Sequence, residues 1–190
     1  MISVIYLDYA VCENGSAEQH TAAKKLLSEL ICNTFEIKNA DRLIRVAKGG
    51  KPYIENAGFD FSDAHTEGAV AVAACGNGKG SRGLIISGKQ ASKIGVDIEC
   101  QNRVIKNESI RRIANKLFSE TEREYLDIKT EGYKTRFLEL WTKKEAIVKA
   151  TGEGLAGISG ANTALFSGVF LETYRVTVES GEYIISVAAM

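Results

Sequence analysis

The sequence predicts an α+β fold because strand-like and helix-like segments alternate along all of its 190 residues. A stretch rich in β-branched residues at 2–7 precedes a helical pattern at 16–32, where apolar residues recur at helical spacing. The pattern restarts after Lys93, with a strand at 94–99 followed by further helices. Near the C-terminus two extended segments flank Ser180-Gly181, a dipeptide typical of a hairpin turn.

The remaining elements follow from the same two patterns. In the first half they are short extended segments and one fully apolar strand, at 43–47, 51–54, 69–74 and 84–87. In the second half we expect a helix at 108–116 and a longer helix that ends near Thr151. Between these helices Ser119 and Glu122 have the spacing of a capping box, which predicts another helix start.

Composition excludes several classes of protein. The chain is 45% hydrophobic and 25% charged, and its 24 basic and 24 acidic residues cancel, so no global field attracts nucleic acid or an anionic membrane. The longest apolar run, 69–75, is far shorter than the roughly 20 residues of a spanning helix. The four cysteines are widely spaced, which predicts reduced, mostly buried thiols and a cytoplasmic protein without membrane contact.

A pair of acids on one predicted strand is a candidate metal site. In Gly95-Val96-Asp97-Ile98-Glu99 the strand period places Asp97 and Glu99 on the face opposite Val96 and Ile98. Two neighbouring carboxylates repel each other, and a hard divalent cation such as Mg²⁺ relieves the repulsion by accepting their oxygens. The alternative is an edge strand with a charged face in solvent.

A third acid lies on the last predicted helix. Glu145 and Lys149 are four residues apart, along one edge of the apolar stripe of the helix at 133–150. Their functional interpretation is a further metal ligand beside a lysine that binds phosphate. Their alternative interpretation is an ordinary surface ion pair, which contributes a few tenths of a kcal/mol.

A basic stretch supplies a local site for a polyanion. Residues 38–51 hold five lysines and arginines against one acid, and Arg42 and Arg45 are candidate ligands for phosphate groups. A solvated basic loop explains the same pattern. The stretch lacks interleaved aromatic residues, which disfavours nucleic-acid binding.

Five segments together resemble the Sfp-type 4′-phosphopantetheinyl transferases. Three motifs occur in the family's order: GVDIE at 95–99, FSETE at 118–122 and WTKKEAIVKATGEGL at 141–155. Upstream, Lys51-Pro52 and FSDAHT at 61–66 resemble the family's K-P step and its F-N-[IL]-S-H-S segment. Ordered motifs at fitting spacing are far more specific than any one of them.

The resemblance implies a fold of two similar α/β lobes, at 1–92 and 93–190, related by pseudo-two-fold symmetry around a cleft. The first lobe would hold the 3′-phosphate and adenine side of coenzyme A, and the second lobe would hold the metal and catalytic motifs. A two-lobed chain builds the whole site itself, so a monomer is expected, unlike the short trimeric holo-carrier synthases.

The resemblance also implies a reaction. The 4′-phosphopantetheine group of coenzyme A would pass to a serine hydroxyl of an apo acyl or peptidyl carrier protein, with release of 3′,5′-ADP. Asp97, Glu99 and Glu145 would hold Mg²⁺, Glu145 would accept the serine proton, and Lys149 would steady the pyrophosphate. The residues expected to bind coenzyme A are Arg42, Arg45, Lys51, Pro52, His65, Thr66 and Lys149.

Departures from the family pattern keep a second hypothesis open. Ser62, Asp63 and Ala64 differ from the motif, and Asp63 adds negative charge near an expected phosphate. A non-catalytic module that binds coenzyme A or a carrier is therefore an alternative, as is another Mg²⁺-dependent pyrophosphate enzyme. His65 has a plain surface histidine as its alternative interpretation. Basic side chains at 111–116 are candidates to meet the acidic helix of a carrier.

Two glycine-rich segments match phosphate-binding motifs only in part. Residues 78–83 fit G-x-G-x-x-G, but a strand-like run follows where a helix should begin. Residues 83–89 fit G-x-x-x-x-G-K, but Gln90 follows where a P-loop needs Ser or Thr. We expect a hairpin there instead.

Overall fold

The computed structural model describes residues 3–79, 84–89, 91–163 and 170–190. Its helices are α1 (Ser16–Phe35), α2 (Ala40–Leu43), α3 (Asn107–Leu117), α4 (Glu120–Leu126) and α5 (Tyr133–Thr151), with a short 3₁₀ helix at Leu155–Gly157. Its strands are β1 (Ser3–Val11), β2 (Arg45–Val46), β3 (Pro52–Tyr53), β4 (Asp60–Thr66), β5 (Ala69–Gly76), β6 (Leu84–Lys89), β7 (Ile94–Cys100), β8 (Phe170–Val178) and β9 (Gly181–Ala189).

These elements confirm the predicted α+β class. Helix α1 runs three residues beyond the prediction, to Phe35, and the capping box at the start of α4 forms, with the Ser119 hydroxyl and the Glu122 carboxylate each accepting a backbone N–H. The C-terminal hairpin is also confirmed, although its turn lies one residue earlier, because Val178 pairs with Gly181. Of the predicted glycine-rich turn at 76–83, residues 80–83 lie outside the described residues. The strands on either side, β5 and β6, do not form the expected hairpin, because each pairs with β1, which lies between them.

Three antiparallel sheets organise the described strands. The first has four strands in the order β4-β5-β1-β6, and the second has three in the order β7-β9-β8. The short strands β2 and β3 form a separate two-stranded ribbon. All strands of the four-stranded sheet precede residue 90, and all strands of the three-stranded sheet follow it.

The two larger sheets pack face to face over a shared apolar core. Side chains from both sheets meet in one buried cluster, which includes Ile5 and Leu7 from β1, Val96 and Ile98 from β7, and Val187 from β9. Helix α1 covers the outer face of the first sheet, and α5 covers the outer face of the second. The lobe boundary near residue 92 and the pseudo-two-fold relation stay predictions.

Strands β4 and β7 meet along a polar seam between the two sheets. Side-chain oxygens of β4 accept backbone N–H groups of β7, and each acceptor lies 34 residues before its donor. The pairs are Asp60 with Ile94 at 2.8 Å, Ser62 with Val96 at 3.2 Å, and Thr66 with Cys100 at 3.4 Å. These oxygens accept hydrogen bonds from three backbone N–H groups on the edge of β7 that faces β4, where those groups would otherwise lack partners.

Gly95 lets α5 lie directly on β7. A Cβ atom at this position would be 2.0 Å from the Ala146 carbonyl oxygen and 2.5 Å from the Ala150 nitrogen. Both are backbone atoms of the helix, so neither can turn away. The glycine of the GVDIE motif therefore sets the helix–strand distance, and with it the distance between the acids of β7 and the side chains of α5.

No helix within the described ranges is long and apolar enough to cross a membrane. All four cysteines are free thiols, as expected, but only Cys75 is buried and the other three are half-buried.

Candidate active site

A cleft of about 240 Å³ brings together segments that are remote in the sequence. It lies where the turn between β2 and β3, strand β4, helix α5 and the loop after α5 converge. Its lining residues are Gly49, Gly50, Lys51, Pro52, Ser62, Asp63, Glu145, Val148, Lys149, Gly152 and Gly154. The K-P step, the FSDAHT segment and the KEAIVKATGEG segment therefore line the same cleft, as expected if the three motifs belong to one site.

Asp97 and Glu99 lie on the face of β7 that α5 covers. They are only 8% and 7% exposed, so the interpretation as a solvent-facing charged strand is wrong. Val96 and Ile98 point the opposite way into the core between the sheets, as the strand period predicts. Buried carboxylates of this kind need a partner or a ligand.

Lys149 reaches across from α5 to Asp97. Its Nζ lies 2.9 Å from Asp97 Oδ1 and also donates to the carbonyls of Val96 at 3.1 Å and Asp63 at 3.4 Å. The lysine thus pairs across elements with Asp97, which rules out the simple surface pair with Glu145. It fixes the distance between α5, β7 and β4 at the base of the cleft.

Glu99 has both carboxylate oxygens engaged. Arg103 Nη1 lies 2.6 Å from Glu99 Oε1, and the Thr66 hydroxyl donates to Glu99 Oε2 at 3.2 Å. Thr66 comes from β4 and Arg103 from the turn after β7. Thr66, expected to bind coenzyme A, therefore contacts a candidate metal ligand in this structure.

Asp97 and Glu145 resist ionisation. Burial raises the pKa of Asp97 to about 7, since the Glu145 and Glu99 carboxylates add to the effect and Lys149 opposes it only in part. Burial likewise raises the pKa of Glu145, with Glu99 adding repulsion and Lys149 opposing both. For Lys149, burial disfavours the charged form, but Asp97 and Glu145 outweigh it and raise the pKa. The two carboxyl groups are therefore held close to a lysine and to further acids in a largely buried region.

The donor set suits a hard divalent cation, although the side chains are not arranged as a finished ligand shell. Among the described residues, no three His, Cys, Asp or Glu side chains form a group that could hold a metal as they stand. Asp97 is turned to Lys149, and Glu99 to Arg103 and Thr66. Three crowded carboxylates on two facing elements are nevertheless the chemistry that Mg²⁺ prefers, so the residues fit such an ion once the acids exchange partners.

Lys51 lines the cleft but is already paired. Its Nζ lies 2.5 Å from Asp60 Oδ2 and donates to the Ile94 carbonyl at 3.0 Å, so it extends the seam between β4 and β7. Its neighbour Pro52 is buried at the same wall. These two contacts use two of the three N–H donors of the ammonium, so a phosphate could share Lys51 with Asp60.

The remaining expected ligands of coenzyme A lie outside the cleft lining. His65 packs edge-on against His20 of α1, with ring centroids 4.5 Å apart, and these are the two histidines of the chain. Burial, His20 and Lys149 lower the pKa of His65, and Asp63 partly opposes them. Arg42 and Arg45 are exposed on α2 and β2. The structure thus groups Glu145, Lys149, Lys51 and Pro52 at the cleft and leaves Arg42, Arg45 and His65 outside its lining.

Sequence reasoning missed a second ion pair on α5. Lys144 is fully buried, and its Nζ contacts Glu122 Oε2 at 3.0 Å and the carbonyls of Ala161 at 2.6 Å and Ile158 at 3.3 Å. Glu122 also accepts the backbone N–H groups of Ser119 and Thr163. This pair joins the FSETE and WTKKE motifs physically. The signal was present in the sequence, since a lysine interrupts the buried face of an amphipathic helix.

Comparison with known proteins supplies the decisive observation. A family model described as the 4′-phosphopantetheinyl transferase superfamily matches residues 93–188, which contain β7, α4 and α5 with their motifs. The chain belongs to this superfamily. The L-aminoadipate-semialdehyde dehydrogenase-phosphopantetheinyl transferase of Schizosaccharomyces pombe is 27% identical over an alignment of 202 residues, which covers 90% of this chain and 76% of that relative. The predicted resemblance is confirmed.

Membership in the superfamily gives the cluster a chemical class. A phosphopantetheinyl transferase moves a phosphate-linked group to a carrier protein, and the cleft combines acids, an amine and an open wall of glycines. Gly152 and Gly154 both have positive φ values, 77° and 65°, which side-chain-bearing residues adopt at a cost. The loop after α5 can therefore line the cleft with bare backbone.

Proposed function

We propose that this protein transfers 4′-phosphopantetheine from coenzyme A to a serine of an apo acyl or peptidyl carrier protein, in a Mg²⁺-dependent reaction that releases 3′,5′-ADP. The observation that carries the proposal is the cleft lined by Glu145 and Lys149 of α5, where Lys149 pairs at 2.9 Å with Asp97, a buried acid of β7. Superfamily membership supports the same reaction class.

The reaction needs one bond exchange at the β-phosphate. The serine oxygen forms a new bond to that phosphorus, and the bond from the phosphorus to the bridging oxygen of the pyrophosphate breaks. The serine proton passes to the Glu145 carboxylate, whose pKa is raised by burial, which strengthens it as a base. The electron pair of the broken bond leaves with 3′,5′-ADP, and Lys149 lies where its charge can stabilise that product.

Asp97, Glu99 and Glu145 would hold the metal ion, which supplies charge neutralisation at the pyrophosphate when bound. Lys149 then keeps its hydrogen bonds to the Val96 and Asp63 carbonyls, so it stays positioned at the cleft even if Asp97 turns to the ion. The protein's main contribution is position, as expected for phosphoryl transfer.

Coenzyme A would enter along the glycine wall of the cleft. Arg42, Arg45 and His65 do not line the cleft and would act on the phosphates through charge. Lys51 and Pro52 would shape the wall, with Lys51 held by Asp60. Thr66 would support coenzyme A binding indirectly, because its hydroxyl donates to Glu99 and orients that carboxylate.

The departures at 62–64 do not favour a non-catalytic module. The Ser62 hydroxyl accepts the Val96 N–H, and Ala64 is buried in the core between the sheets, so both serve packing. Asp63 offers its backbone carbonyl to Lys149. These residues leave the cleft open and its catalytic candidates in place, which supports an active enzyme over a binding module.

The test is the intact mass of an apo acyl carrier protein incubated with this protein, coenzyme A and Mg²⁺. We expect a gain of about 340 Da, the mass of the phosphopantetheine arm, as transfer to serine requires. Glu145→Gln should lower the rate at least about 100-fold, a typical effect for loss of a general base. Glu131→Gln, at an exposed acid before α5, is the matched control and should transfer normally. Coenzyme A binding without transfer to any of several carriers would favour the binding module.

Three finer predictions accompany this proposal. We expect a cytoplasmic monomer. We also expect Arg111, Arg112 and Lys116, exposed on α3, to steer the acidic carrier through long-range charge. Reversing the charges of both arginines should raise the KM for the carrier at low salt, and an unchanged KM would contradict this docking patch.

A further inference from the structure

Each buried acid of β7 has its own cation within the chain. Lys149 pairs with Asp97 at 2.9 Å, and Arg103 pairs with Glu99 at 2.6 Å. Two of the three candidate metal ligands are therefore neutralised internally before any external cation arrives. Because the carboxylates are buried, such a counter-charge lowers the cost of keeping them ionised.

The two cations differ in how firmly they are held. The Lys149 side chain is 29% exposed and donates to three acceptors on two strands. The Arg103 side chain is 49% exposed, and among the described residues its guanidinium donates to Glu99 alone. Arg103 can thus leave into solvent at little cost, whereas Lys149 cannot.

The second oxygen of Glu99 is held differently. The Thr66 hydroxyl donates to Oε2 at 3.2 Å while it accepts the Cys100 N–H at 3.4 Å, so a neutral group from the seam orients the carboxylate. If Arg103 leaves, Glu99 keeps this orientation and presents Oε1 as a free ligand atom. Release of the guanidinium would not collapse the site.

We propose that Arg103 is a displaceable counter-cation that competes with the divalent metal ion for Glu99 and thereby weakens metal binding by the free protein. The inference rests on the metal site of the proposed function, and it assigns a role to a residue outside the GVDIE motif. A guanidinium and a divalent cation repel each other when they share one carboxylate. Metal affinity is therefore set by the pairing of Glu99 with Arg103 as well as by the acids themselves.

The test measures binding of Mn²⁺ to the metal-free protein, without coenzyme A, from the electron paramagnetic resonance signal of free Mn²⁺. Arg103→Gln removes the charge, and we expect Kd to fall about threefold to fivefold, the range typical of a half-exposed ion pair. Arg112→Gln, at an exposed arginine of α3, is the matched control and should bind like the wild type. Glu99→Gln should lose most of the binding.

A second readout is thermal unfolding. Since a ligand stabilises the state that it binds, a fixed Mn²⁺ concentration near Kd should raise Tm more in Arg103→Gln than in the wild type, each measured against the same protein in EDTA. Comparing each variant with itself removes any loss of stability that the substitution causes.

The outcomes separate this inference from the proposed function. Tighter Mn²⁺ binding in Arg103→Gln but not in Arg112→Gln supports the inference. Unchanged or weaker binding in Arg103→Gln, with binding still lost in Glu99→Gln, overturns it and leaves the metal site standing. Absence of Mn²⁺ binding in both the wild type and Arg103→Gln also overturns it, whereas phosphopantetheine transfer, measured by mass, decides the proposed function independently.

Discussion

Two lysines of helix α5, five residues apart, form ion pairs in opposite surroundings. Lys144 is fully buried against Glu122 and two backbone carbonyls, away from the cleft. Lys149 lies at the cleft, partly exposed, against Asp97. The sequence shows two similar lysines in one motif, and the fold separates them into one pair closed to solvent and one that faces an open site.

The pKa values of the acids in the two pairs shift in opposite directions. Burial alone would raise the pKa of Glu122, but hydrogen bonds from the Thr163 and Ser119 N–H groups, Lys144 and the Thr163 hydroxyl outweigh it and lower the pKa. For Asp97, burial outweighs the hydrogen bond and charge of Lys149, neighbouring acids add to it, and the pKa rises to about 7. An acid whose burial is offset by hydrogen-bond donors stabilises a fold, whereas a cluster of buried acids with raised pKa values is typical of a functional site.

The largest loss of stability should come from disturbing the close packing of α5 on β7. Gly95→Ala places a Cβ atom against two backbone atoms of α5, so we expect a loss of about 3 kcal/mol or more in the free energy of unfolding, as for severe overpacking. Urea unfolding measures this loss. Gly58→Ala, where a Cβ atom meets open space, is the control, and equal stability of the two variants would contradict the close approach of α5 to β7.

The next largest loss of stability should come from breaking the buried pair of Lys144 and Glu122. Lys144→Met leaves Glu122 buried without its cation, which should cost about 3 kcal/mol of stability. Lys143→Met, at the neighbouring half-buried lysine, should change stability by roughly 0.5 kcal/mol or less, as a substitution away from such a pair does. Urea unfolding of both variants at pH 7 measures the difference. A mild loss in Lys144→Met would mean that Glu122 is satisfied by its backbone donors alone.

A smaller effect should appear with pH. Because the pKa of Glu122 lies below its ordinary value of 4.5 in the folded protein, its contribution is fully present above 4.5 and is lost as pH falls through the folded value. The stability difference between the wild type and Glu122→Gln should therefore be constant from pH 7 to 5 and shrink below 4.5. Urea titrations at several pH values would show this, and a difference that grows on acidification would reverse the assigned sign.

The smallest effect should come from an exposed pair on the same helix. Arg175 of β8 lies 2.5 Å from Glu139 of α5, but its side chain is 62% exposed. Arg175→Gln should cost about 0.5 kcal/mol or less, since solvent screens such pairs, and added salt should erase the difference. Thermal unfolding at low and high salt checks this. A cost near that of Lys144→Met would show that burial is not what separates the two kinds of pair.

The sequence predicted most elements of the fold because each has a local signal. The helical spacing at 16–32, the capping box at Ser119 and the hairpin near Gly181 depend only on neighbours in the chain. It also predicted that Asp97 and Glu99 share a strand face, since the strand period is local. Local patterns could not predict the seam between β4 and β7, because each of its hydrogen bonds joins a side chain to a backbone N–H group 34 residues away.

By itself, then, the sequence determined the α+β class, the superfamily and the acids and lysine that carry the candidate chemistry, all through short-range spacing and motif order. Only the tertiary structure decided their partners. It paired Lys149 with Asp97, Arg103 with Glu99, and Lys51 with Asp60. The physical reason is that the strength of an ion pair depends on distance and burial, and both are fixed only when α5 packs on β7 at Gly95 and β4 closes the seam.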